Sequence, residues 1–84
     1  MESLVRSERN REYPTFAATV ICGSFHVDGL VRNLTAGGAM FESRLQLRAG
    51  SKIILDIGGL SRIPSTVVWS IDTRAGVRFD EPHR

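Results

Sequence analysis

The sequence holds one cysteine, Cys22, so no intramolecular disulfide can staple the chain. No apolar run approaches the roughly 18–20 residues that a membrane-spanning helix needs. The opening Met1-Glu2-Ser3-Leu4-Val5-Arg6 lacks the apolar centre of a signal peptide. Together these absences predict a cytoplasmic protein with no membrane insertion. His26 and His83 stand far apart, and with a single thiol no metal-ligand cluster forms, so neither a metal nor a resident cofactor is expected. No hydroxyl or thiol sits in a motif that pairs a nucleophile with a base. The chain therefore reads as a non-enzyme. Aromatic residues make up only 7%, which leaves few platforms for stacking single-stranded bases and argues against a nucleic-acid partner.

The 84 residues suffice for one core but not for a second domain. An apolar fraction of 42% with 24% charged residues is globular composition. The net charge of +2 is unevenly placed: Arg6, Arg9 and Arg11 stand against Glu2 and Glu8 near the N-terminus. Residues 1–12 are polar without a sustained period and are expected to form a flexible arm, with one domain over 13–84. An arginine-bearing arm before a folded domain suits an anionic partner.

From Tyr13-Pro14 onward the pattern is that of strands. Thr15 to Cys22 alternates, with Phe16, Ala18, Val20 and Cys22 on one face. Gly23-Ser24 marks a turn. A second strand runs from Phe25 to about Leu34, and Gly29 within it marks a bulge or bend. Asn33 to Gly38 forms a loop, Ala39 to Ser43 a third strand, and Arg44 to Gly50 a connection. Lys52 to Ile57 is a fourth strand that ends in a two-residue hairpin signal, Gly58-Gly59. The fifth covers Leu60 to Ser70, with Ile63, Ser65, Val67 and Trp69 on one face and Pro64 placing it at a sheet edge. After a turn at Asp72-Thr73-Arg74, Gly76 to Phe79 is the sixth, with Arg78 facing away from the core. The expected core is Phe16, Val20, Val31, Phe41, Ile53, Leu55, Val67, Trp69, Val77 and Phe79. Six short strands with frequent turns make an all-β barrel or small sandwich.

The loop Asn33-Leu34-Thr35-Ala36-Gly37-Gly38 ahead of Ala39-Met40-Phe41 resembles the second signature of the PilZ family. In that signature an Asp or Asn is followed two residues on by Ser and three further on by Gly. Gly50-Ser51-Lys52-Ile53 and the ending Val67-Val68-Trp69-Ser70 with Gly76-Val77-Arg78-Phe79 are also similar to the family. The resemblance covers about residues 6–80 and implies a six-stranded antiparallel barrel that binds cyclic di-GMP. The family's first signature has two arginines separated by three residues. Here Arg6, Arg9 and Arg11 do not have that spacing, Glu12 precedes Tyr13-Pro14, and Thr35 replaces the usual Ser.

The ligand site implied by the resemblance is Arg6, Arg9, Arg11, Asn33, Thr35 and Gly38. Arginine suits cyclic di-GMP because its planar fork bonds phosphate oxygens in pairs and stacks on purines. In an extended arm Arg9 and Arg11 would point one way and Arg6 the other. Asn33 can both donate to and accept from a base edge. Two functions follow from the resemblance. One is a cyclic di-GMP receptor that signals to a protein effector by ordering its arm. The other is a divergent PilZ-like adaptor that docks proteins without the nucleotide.

Overall fold

The computed structural model describes residues 14–59 and 61–81. The expected flexible arm over residues 1–12 lies outside the described residues. Six strands follow in chain order: β1 (Phe16–Cys22), β2 (Phe25–Arg32), β3 (Gly38–Ser43), β4 (Lys52–Ile57), β5 (Ser61–Ile71) and β6 (Arg74–Phe79). They close into a barrel in the order β1-β2-β3-β6-β5-β4, with every neighbouring pair antiparallel. This is the all-β, six-stranded antiparallel barrel that the sequence resemblance implies. Closure gives every strand two neighbours and removes the free edges that invite aggregation.

The turns explain the strand order. Cys22 pairs with Phe25, so Gly23 and Ser24 close a two-residue hairpin, and Gly23 supplies the positive φ of 61° that such a turn needs. Ile57 pairs with Ser61, so three residues connect β4 to β5, one more than the Gly58-Gly59 signal suggested. Residues 44–51 carry the chain from β3 to β4, which are not neighbours, and therefore cross one end of the barrel. Leu47 of this crossing packs against the core.

Ala18, Val20, Val31, Phe41, Ile53, Leu55, Val67, Ala75, Val77 and Phe79 fill the barrel. They come from all six strands at alternate positions, as a closed sheet with one apolar face requires. Ser65 lies among them with no exposed surface, its hydroxyl donating to the Ile63 carbonyl at 3.0 Å.

Four local expectations are corrected. Phe16 has the inward parity of Ala18 and Val20 but is 40% exposed, because it is the first residue of β1 and stands at the rim of the barrel. Trp69 is 41% exposed and faces outward. The register of β5 against β6 slips between Val67 and Trp69, so Val68 is an extra residue in the ladder. One added residue moves every later side chain to the opposite face. Trp69 thus shares its face with Gly76, while Ser70 turns inward opposite Ala75. Gly29 marks no bulge, since its pairing with Ala18 and Ser43 is in register. It is glycine because a Cβ there would strike the Glu42 carbonyl and the Phe41 ring. Finally, β5 is not an edge strand. Pro64 pairs with Ile54 of β4, and its carbonyl accepts from the Asp80 amide at 2.9 Å. Its nitrogen faces the same way as that carbonyl, toward Asp80 just beyond the last β5–β6 pair, Ser65 with Phe79, so the missing donor costs no bond to β4 and falls where β6 has ended.

Candidate functional site

One end of the barrel collects the chain's candidate chemistry. Phe16, the first residue of β1, pairs with Val31, two residues before Asn33. The chain thus arrives at the barrel, through Pro14 and Thr15, directly beside the β2–β3 loop. The ends of β4 and β6 and the start of β5 surround the same opening.

The loop is held by its own hydrogen bonds. Asn33 takes a left-handed φ of 54°, which Asn tolerates better than most residues. The Thr35 amide donates to the Gly38 carbonyl at 2.9 Å. The Thr35 hydroxyl donates to that same carbonyl at 3.1 Å and accepts from the amides of Gly37 and Gly38, each at 3.2 Å. A hydroxyl has one proton and two lone pairs, so this one is fully engaged inside the loop. The loop is tied down from below by the Phe79 amide, which donates to the Gly37 carbonyl at 2.8 Å.

Gly38 also has a packing reason to be glycine. It pairs with Arg78, and a Cβ on it would run into the Val77 carbonyl and the Arg78 backbone. Of the three loop residues singled out by sequence, Thr35 and Gly38 thus build the loop. Asn33 keeps an exposed side chain with no hydrogen-bond partner among the described residues. Arg6, Arg9 and Arg11 lie outside the described residues.

Two further cations stand on the outer face beside the loop. Arg78 is exposed opposite Gly38. Arg32, at the end of β2, points outward and lies 3.2 Å from Glu42, which Arg74 also approaches at 3.8 Å. Arg32 is out of phase with buried Val31, a signal that the sequence carries and that the resemblance did not use. One row further along this face come Met40, Gly76 and Trp69, linked by direct strand pairing. The indole lies over Gly76, filling the space that a side chain would occupy.

Asp80 closes the barrel end where β6 runs out. Its carboxylate accepts from the Thr66 hydroxyl at 2.7 Å and from Lys52 at 3.4 Å. The Thr66 hydrogen bond, and then the charge of Lys52, hold the Asp80 carboxyl below its ordinary value. Among the described residues no group of three or more His, Cys, Asp or Glu side chains is placed to hold a metal. No helix there is long and apolar enough to cross a membrane.

The arrangement places the exposed side chains of Asn33 and Arg78, and the Arg32–Glu42 ion pair, around a loop that is held by its own hydrogen bonds. Comparison with known proteins agrees with the sequence resemblance. Neither curated proteins nor solved structures gave a match. The family model described as PilZ domain matches residues 5–84, including the loop, all six strands and the arginines of the arm. The chain belongs to the PilZ domain family, whose members are binding and adaptor domains.

Proposed function

We propose that this domain is a cyclic di-GMP receptor that passes ligand occupancy to a protein effector in bacterial second-messenger signalling. One observation carries the reading: β1 begins opposite Val31, so the arginine-bearing arm reaches the barrel beside the Asn33–Gly38 loop. Arg11 stands only three residues before Pro14, so its guanidinium can reach the loop surface without any change in the barrel. In this reading the arginines of the arm hold phosphates and stack on guanine. Asn33 reads a guanine edge, and Thr35 and Gly38 keep the loop in shape. The nucleotide acts as glue between arm and barrel, and the reorganised arm is what the effector senses. The domain acts in the cytoplasm, without a resident cofactor and without catalysis.

Calorimetric titration with cyclic di-GMP tests this. Arg9→Ala or Arg11→Ala weakens binding by about 1.5–3 kcal/mol, the scale of a hydrogen bond to a charged group. Asn33→Ala costs about 0.5–1.5 kcal/mol, as a neutral bond does. The arginine effects shrink as salt rises and the asparagine effect does not. If the arginine variants bind as tightly as the parent, the arm is no part of the site.

The second reading is a nucleotide-free docking adaptor. It is favoured by the altered arginine spacing and by a Thr35 hydroxyl already engaged within the loop. A parent protein that shows no heat with cyclic di-GMP at low salt selects this reading.

A further inference from the structure

Three apolar side chains share the outer face of β3, β5 and β6. Met40 and Trp69 flank Gly76 in one row of the sheet, and Ile71 follows Trp69 on the same face, paired with Arg74. With the turn at Asp72 and Thr73, and with Arg74, they line a cleft of about 410 Å³. Gly76 brings no side chain into the row and the indole fills its place, which carries the apolar surface from β5 across to Met40. Ile71 is 64% exposed, and Leu30 of β2, diagonal to Met40, is exposed as well. Together the exposed parts amount to on the order of a few hundred Å², the size at which an apolar patch marks an interaction site.

We propose that this face is where two copies of the chain meet. Charge selects the occupant. Arg32 and Arg74 stand on the face or at its border together with Glu42 and Asp72, so the signs balance. A partner carrying strong charge of one sign meets as much repulsion as attraction there. A second copy meets a balanced surface, and the chain's net charge of +2 adds little repulsion at a distance. A two-fold axis sets the same patch against itself, so the apolar centre of one copy covers that of the other. The residue types agree, because Trp, Met and Arg are enriched where protein surfaces meet.

Size sets the strength. A stable interface buries about 800 Å² on each partner, more than this apolar patch supplies. The dimer is therefore weak and reversible, with a dissociation constant on the order of 100 µM. The contact uses no residue of the β2–β3 loop, so its test is independent of whether cyclic di-GMP binds.

The experiment is sedimentation equilibrium of the full chain without nucleotide, from about 10 µM to about 1 mM, a range that brackets that constant. The mass should rise from one chain toward two. Trp69 is the single tryptophan, so its emission should move to the blue over the same range as the indole leaves water. Ile71→Glu changes an exposed side chain at the end of β5 and should raise the dissociation constant about tenfold or more, with the strand signal in circular dichroism unchanged. Arg74→Glu leaves Arg32 alone against three anions. It should weaken association at low salt, and added salt should restore it. Association that both variants leave unchanged overturns the inference, because it lies elsewhere on the barrel. A chain that stays monomeric to about 1 mM overturns it too. If cyclic di-GMP then moves the tryptophan emission of that monomer, the face belongs to the ligand.

Discussion

The Thr35 hydroxyl satisfies two amides and one carbonyl within four residues. This makes it a structural element of the loop before it is anything else. Thr35→Ser keeps the hydroxyl and should match the parent. Thr35→Val removes it and should cost about 1 kcal/mol, the net worth of a typical hydrogen bond. Urea unfolding measures the cost, and faster amide exchange at Gly37 and Gly38 locates it. Asp80 makes a second prediction at this scale. Its carboxyl is held below the ordinary value by Thr66 and Lys52. A depressed folded-state pKa gives stability that is complete above the unfolded value of about 4 and is lost as pH falls through the folded one. The parent should therefore lose stability below about pH 4 more steeply than Asp80→Asn. Equal slopes in thermal melts across that range would refute it. These roles were only partly legible in sequence. Asn, Thr and Gly at that spacing announce a loop. Whether the hydroxyl faces the loop or a ligand depends on where the Gly37 and Gly38 amides point, and no residue identity states that.

At the scale of strands, the informative element is β5. Ser65 and Val67 point inward by simple alternation, and the same count puts Trp69 inward as well. The extra residue at Val68 breaks that count. A bulge leaves no composition signal when the inserted residue is another β-branched one, which is why alternation placed Trp69 in the core. The remaining strands followed alternation because their ladders run without interruption: β1 against β4 and β2 against β3 are in register throughout. Gly76 was legible only as a strand residue. Its reason is the indole lying on it across the ladder. Gly76→Ala should lift Trp69 off the sheet at a cost of about 1–3 kcal/mol, the usual range for overpacking. Tryptophan emission should shift to the red as the ring moves into water. Gly38→Ala differs in kind, because the obstacle is the β6 backbone and no side chain can swing away. It should part β3 from β6 and show as lost amide protection at both strands.

For the whole molecule, the two ends of the barrel divide the work. The crossing at residues 44–51 covers one end with Leu47, and the other end carries the start of β1 and the β2–β3 loop. A shared core holds the two together, with Leu55 and Val20 facing each other across β4 and β1, both without exposed surface. The β1–β4 ladder joins segments distant in sequence and completes the ring, and burial of the core, with the ladder's own hydrogen bonds, offsets the entropy of that closure. A chain of this length has a total stability of roughly 4–13 kcal/mol, at about 0.05–0.15 kcal/mol per residue. Leu55→Ala leaves a cavity that costs about 2–5 kcal/mol, a large share of that total. Because the ring is one cooperative unit, the loss should lower the urea midpoint and leave the slope unchanged. It should also weaken protection at both ends equally, at Thr35–Gly38 as much as at the Gly23–Ser24 turn. Amide exchange that stays slow at one end while the other melts would show two independent units, and would remove the basis for treating the barrel as the rigid platform of the site.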